Sequence, residues 1–222
     1  IIELLYLTNK TKIVDISSFL KLLILITLII SLKTFYALYV LLLIPLIFYF
    51  NKNKVSLIFF FKNKITYLCL IMLMSLFTVN FFNSGCLLYP VKLTCFENFS
   101  WSISISEVEQ MNKWYQQWAK AGANPNFRVE NPEVYIKSFN WVSNWIDMYF
   151  FNKVSDFLLG LSFLCAAVWL TFFSKKTNKS KNPKFWLLYL IIAFLTVEWF
   201  YLLPTLRYGG YHLIALLLFI PF

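Results

Sequence analysis

Residues 65–82 read ITYLCLIMLMSLFTVNFF, eighteen positions without a charge, between Lys62 and Lys64 on one side and Gly85 and Pro90 on the other. A run of this length and polarity matches the hydrocarbon core of a bilayer, which takes about 20 residues of helix. Working outward, the same pattern recurs: apolar runs at Ile16–Leu32, Thr34–Phe50, Val154–Phe173 and Phe185–Leu203, and a last run that starts at Tyr211. The chain is 60% hydrophobic, 21% aromatic and 14% charged, with five glycines in 222 residues. A soluble domain carries nearly twice that charge fraction. The expected class is therefore an all-α, polytopic transmembrane protein, since helices satisfy their own backbone groups in lipid. Unbroken apolar runs exclude a β-barrel, whose strands alternate.

The net charge of +10 is no sign of nucleic acid. Eighteen of the twenty basic residues are lysines, and they gather at the ends of apolar runs, which is the topology signal of membrane proteins. Loop 51–64 holds Lys52, Lys54, Lys62 and Lys64 without an acid, and loop 174–184 holds Lys175, Lys176, Lys179, Lys181 and Lys184 without one. Both are expected on the cytoplasmic side of a bacterial inner membrane, and residues 84–150 outside. The organisation read from this has three parts. Residues 1–83 are N-terminal transmembrane helices, residues 84–150 one large extracytoplasmic loop, and residues 151–222 the C-terminal transmembrane helices. Lys33 leaves residues 16–50 readable as two spans or as a span with a re-entrant or interfacial helix. Segment 55–61 is too short to span and is expected to lie along the interface. Residue 1 is Ile and the final run stops after 12 residues, so a piece of a longer chain is expected.

The loop 84–150 carries five of the eight tryptophans, Trp101, Trp114, Trp118, Trp141 and Trp145, and balances five basic against six acidic residues. Gly85 and Pro90 end the preceding helix. Cys86 and Cys95 are either a disulfide, permitted outside the cytoplasm, or two free or buried thiols. Cys69 and Cys165 read as packing residues. The Ser104 and Ser106 region offers N-cap chemistry for a helix closed by Gly122. A second helix is expected to start at Asn131-Pro132, with Tyr135, Phe139, Val142, Ile146 and Tyr149 on its apolar face and Trp141 and Trp145 on a flank. Interfacial tryptophans account for most of this pattern. The sharper alternative is a groove for a sugar or a lipid-linked substrate. Its indole rings would come from Trp118 and Trp141, with Tyr89, Arg128, Asn124, Asn140 and Asn144 as further candidates.

Polar groups also collect near the outer end of Phe185–Leu203. Glu198 lies within that run, and the segment Pro204–His212 is expected to be a short turn holding Arg207 and the only histidine, His212. A guanidinium there suits a phosphate, or snorkels to headgroups, or pairs with Glu198. His212 has no second ligand type nearby in sequence, so a metal site is not expected. No Ser-His-Asp order and no phosphate-binding Gly-rich loop occurs.

The stretches Asn83-Ser84-Gly85-x-Leu87-Leu88-Tyr89-Pro90, Glu109-x4-Trp114-x3-Trp118-Ala119, Asn140-Trp141 and Pro204-x2-Arg207-Tyr208-Gly209 together resemble a family of bacterial multi-pass membrane proteins. That family is itself similar to the GT-C class of glycosyltransferases. The likeness covers roughly residues 75–212 and departs from the family pattern at Cys86-Leu87. It implies sugar transfer from a polyprenyl-phosphate donor on the outer face, in cell-envelope glycan assembly. Arg207 would contact the donor phosphate and loop 84–150 would shape the acceptor side. The catalytic acid would lie N-terminal to this sequence, and a divalent cation serves some members as cofactor. A transporter or flippase for a lipid-linked saccharide would need polar residues in mid-span, where this chain is almost wholly apolar; a non-catalytic structural protein is the third reading.

Overall fold

A computed structural model describes residues 16–52, 61–124, 129–172 and 186–219 of the chain. Among the described residues every extended element is helical, and the one β-type contact is an isolated bridge between Cys86 and Cys95. The all-α expectation holds. Two helices, Lys64–Ser84 and the continuous stretch Val142–Ala167, are long and apolar enough to cross a membrane, and Phe19–Leu32, Thr34–Phe48 and Trp186–Leu202 are shorter apolar helices. Arg128, segment 55–60 and loop 174–184 lie outside the described residues.

Two compact units divide the chain: Ile1–Glu109 with Lys181–Ile191, and Gln110–Ser180 with Ile192–Phe222. In the first, helix Ile16–Leu32 packs against helix Lys64–Ser84 and against the segment that follows it. That segment is no single α-helix. Residues Thr34–Leu43 wind as a 3-10 helix, and an α-helix Ile44–Lys52 takes over at Pro45. Pro45 has no N–H to give to Leu41 and is tolerated only in a first helical turn, so it marks the start of the α-helix. Tyr36, Tyr39, Leu43, Leu46 and Phe50 form the buried side. Helix Lys64–Ser84 is capped at both ends. The Asn63 side chain accepts from Ile65 N at 2.9 Å, and Gly85, at φ 76°, takes the left-handed position from which its N–H reaches Phe81 O. A Cβ on Gly85 would stand 2.5 Å from Ser102 Cβ and 2.9 Å from Phe96 O, so only glycine fits. Cys86 and Cys95 are joined as a disulfide.

Hydroxyls in the apolar helices bond to their own backbone: Thr27 to Leu23 O, Ser31 to Thr27 O, Thr78 to Met74 O and Thr196 to Ile192 O. These helices thus satisfy their own hydroxyls internally.

In the second unit the helix expected from Asn131 is broken. A short helix Pro132–Ile136 ends where Ser138 adopts φ 54°. Asn140 Nδ2 donates to Val134 O and Trp141 Nε1 to Ser138 O, both within 3.1 Å. Side chains bonding to nearby carbonyls compete here with helix propagation. The chain then restarts as one run: α over Val142–Trp145, π over Ile146–Val154 and α over Ser155–Phe172. The buried residues Trp141, Trp145, Tyr149 and Val154 are four, four and five positions apart. The wider i→i+5 turn keeps that spacing on one face. Trp141 and Trp145 are therefore core residues and not a flank, whereas Phe139, expected on the apolar face, is exposed. The expected turn Pro204–His212 shrinks to residues 203–205, because helix Leu206–Phe219 begins earlier and carries both Arg207 and His212. That helix packs on Ser155–Phe172. Gly209 lets the same helix lie directly on Trp199 within this unit, since a Cβ there would fall on the indole.

Candidate functional site

The second unit concentrates the chemistry in two adjoining constructions, each built on its tryptophans. The first fixes the turn before Arg207. Trp145 Nε1 donates to Pro204 O at 2.7 Å, and Trp199 Nε1 donates to Thr205 O at 2.7 Å. Tyr149 OH accepts from Leu206 N at 2.9 Å, taking one of the backbone donors that a helix start leaves open. Thr205 O also accepts from the N–H groups of Tyr208 and Gly209. The Thr205 hydroxyl is buried and has no hydrogen-bond partner among the described residues. Arg207 follows, exposed, in the first turn of a 14-residue helix. The amino end of a helix carries partial positive charge, so a cation there gains nothing from the helix itself. With the N–H groups of Leu206, Tyr208 and Gly209 already bonded, affinity for an anion there rests mainly on the guanidinium.

The second construction is a buried lysine that the sequence reading did not single out. Lys120 ends helix Ile105–Lys120 and is 1% exposed. Its ammonium lies 5.3 Å from the Trp141 ring centre and 5.1 Å from that of Tyr201. It donates to Ile136 O at 3.2 Å and to Gln116 Oε1 at 3.5 Å. Among the described residues no carboxylate pairs with it. Burial lowers its pKa from 10.5 to about 8. The rings hold the cation by their negative faces, and the two carbonyl oxygens accept its hydrogen bonds. Tyr135 completes the nest. Its hydroxyl donates to Lys120 O at 3.1 Å and accepts from Asn144 Nδ2 at 2.7 Å. Burial raises the Tyr135 pKa, and the Asn144 bond works against that rise. A signal for Lys120 did exist: Ala119, Ala121 and Gly122 around it are small and buried, which lets the helix end approach its neighbours. Gly122, at φ 87°, closes the helix.

Of the residues singled out from the sequence, Trp141 belongs to the lysine nest and Arg207 to the pinned turn. Trp118 is half-buried, with its carbonyl accepting from Ala123 N. Glu198 is half-buried and His212 buried within their helices. Asn140 and Asn144 turn out to serve backbone and Tyr135. Tyr89 lies in the first unit, half-buried, its carbonyl accepting from Thr34 Oγ1 at 2.7 Å. Arg128 lies outside the described residues. Among the described residues no three His, Cys, Asp or Glu side chains come together as a metal would require, so the divalent cation that some members of the resembled class use gains no support from them.

No curated protein and no solved structure matches the chain. Residues 1–214 match the family model described as "Domain of unknown function (DUF8201)", and the chain belongs to that family.

Proposed function

We propose that the chain is a polytopic protein of a bacterial inner membrane, with residues 84–150 extracytoplasmic. In this reading Arg207 binds the phosphate of a polyprenyl-phosphate sugar whose sugar is transferred to a cell-envelope glycan. The observation that carries it is the exposed guanidinium in the first turn of helix Leu206–Phe219, behind a turn held by Trp145, Trp199 and Tyr149. Phosphate recognition needs a bidentate donor held still relative to the substrate. Three hydrogen bonds with separate side chains, at Pro204 O, Thr205 O and Leu206 N, provide that stillness. The motif likeness of residues 83–90 and 204–209 supplies the reaction class. The long apolar helices supply a place for the polyprenyl tail.

The test is sugar transfer by the protein in lipid nanodiscs, with radiolabelled polyprenyl-phosphate sugars as donors. Arg207→Ala lowers turnover about a hundredfold, while Arg207→Lys keeps part of it and the melting temperature stays put, since Arg207 is exposed. Unchanged turnover in Arg207→Ala removes Arg207 from the site. Reporter fusions at residues 58, 115 and 179 check sidedness: a cytoplasmic signal at 115 inverts the whole scheme.

A further inference from the structure

We propose that the disulfide-closed loop Cys86–Cys95, with the aromatic shelf beside it, enters the headgroup and upper acyl layer of the bilayer as an interfacial foot of helix Lys64–Ser84. The inference rests on that helix being a membrane span and goes beyond it in assigning a lipid contact to a segment past the span's end.

Four observations converge, all within the first unit. The loop's tip is apolar and open: Leu93 is 95% exposed, and Leu87 and Val91 are also exposed. The one charged residue of residues 86–96 is Lys92, which is paired with Glu109 at 3.1 Å. The loop's backbone is largely closed on itself. Leu87 N donates to Thr94 O, Leu88 N to Thr94 Oγ1, Val91 N to Leu88 O, Thr94 N to Val91 O, Cys95 N to Lys92 O and Phe96 N to Gly85 O. Pro90 has no N–H to satisfy. Closure of this kind lowers the cost of leaving water, because an unpaired peptide group in an apolar medium costs several kcal/mol, and it leaves the start of the short 3-10 turn at Lys92 and Leu93 to headgroup oxygens and water. An ordinary external loop needs no such closure.

The shelf continues the same surface. Phe82, Phe96, Phe99 and Trp101 are exposed and gather round Phe81, with Trp101 stacked on Phe99 at 4.8 Å and 24°. Tryptophan and its aromatic neighbours favour the headgroup level, where one edge is dry and the other wet. Below the shelf, Leu68, Leu70, Ile71, Met74 and Val79 are exposed round the helix, so apolar surface continues from the shelf down the helix. Continuity with a lipid-length helix, at the level where aromatic belts lie, selects the bilayer as occupant over another protein.

The experiment uses the full chain in phosphatidylethanolamine–phosphatidylglycerol liposomes. A nitroxide on p-acetylphenylalanine is placed in turn at positions 93, 71 and 107, and its collision rates with oxygen and with a water-soluble nickel chelate are compared. The disulfide stays intact, because the label does not use cysteine. The expected result is an oxygen-to-nickel ratio at 93 several-fold above that at 107 and below that at 71, and a fall at 93 when Val91→Asp is added. A ratio at 93 equal to that at 107, with 71 still in lipid, overturns the foot and leaves the span standing. Water access at 71 overturns both. A label at 93 shielded from both reagents means that protein covers the tip, which also overturns the proposal.

Discussion

At the end of helix Lys64–Ser84, Trp101 is 45% exposed and stacks on Phe99. In the second unit Trp141 and Trp145 are 0% and 4% exposed, and Trp199 is 3% exposed. All three of these indole N–H groups end on a backbone carbonyl: Ser138 O, Pro204 O and Thr205 O. In composition the two clusters are alike. What separates them is the destination of the polar edge of the ring. A buried indole must find an acceptor, and by finding it in a turn it fixes that turn. An exposed indole has no such obligation and offers its face to whatever lies alongside. The same residue type thus serves as a fastening in one region and as a surface in the other.

The largest test of that contrast is Trp145. Trp145→Ala removes a ring packed against Trp141, Tyr149 and Phe200 and should cost about 3–5 kcal/mol. Trp145→Phe keeps most of the packing, loses the bond to Pro204 O, and should cost about 1–2 kcal/mol. Thermal unfolding in nanodiscs reads both. If Trp145→Ala shifts the melting temperature no more than Trp101→Ala does, the division into fastening and surface is wrong.

Lys120 sharpens the comparison from the side of charge. Its pKa is near 8 in the folded chain and 10.5 in the unfolded one. Below pH 8 both states are protonated, and the fold bears the full cost of a buried ammonium, at most about 3 kcal/mol. Between 8 and 10.5 the unfolded chain binds more protons, so stability rises with pH. Lys120→Met should abolish that rise. Denaturation of the two proteins between about pH 7 and 9.5 measures it and stays below the phenol range, where Tyr135 would add its own term of opposite sign. A wild-type stability flat over that window would show that the rings and the Ile136 carbonyl fully replace the lost water.

Much of the architecture was legible in residue order because long apolar helices write themselves as runs with few charges. Ile16–Leu32 and Lys64–Ser84 appear where the pattern put them, and Gly85 stops the second as a left-handed cap must. The misreadings have local causes. The 3-10 winding of Thr34–Leu43 leaves no trace in hydropathy, since TFYALYVLLL is apolar all round and shows no period. The break at 137–141 depends on Asn140 and Trp141 bonding backward, and the π stretch depends on a buried spacing of four, four and five. Periodicity at 3.6 smooths over both. Lys120 was passed over because a lysine in a last helical turn is ordinarily a solvated partner of the helix dipole. Its burial comes from Trp141 and Tyr201, 21 and 81 positions away. Arg207 drew notice in the sequence because it stands in a short segment with Pro, Gly and His, although that segment is mostly helix.

Gly209→Ala probes the fastening indirectly. The added methyl has to displace the Trp199 ring, and with it the bond that holds Thr205 O. Overpacking of this kind costs about 1–3 kcal/mol. The expected signature is a lowered melting temperature together with faster amide exchange at Tyr208 and Gly209, whose N–H groups share the Thr205 carbonyl. A destabilised protein with unchanged exchange there would mean that the turn is held without Trp199.

The smallest effect belongs to the shelf, and its smallness is the point. Trp101→Ala removes a ring whose face is open, so the fold should lose under about 1 kcal/mol. If the ring lies in the headgroup layer, what it loses instead is attachment. Trp101→Ala should leave the melting temperature in detergent nearly unchanged, yet lower it in liposomes, because only the bilayer offers the ring a half-wet layer to occupy. Trp101→Tyr, which keeps an amphipathic ring, should restore the liposome value. Equal shifts in both media would mean that the ring's partners are Phe81, Phe82 and Phe99 alone, and the shelf would then be a second, looser fastening.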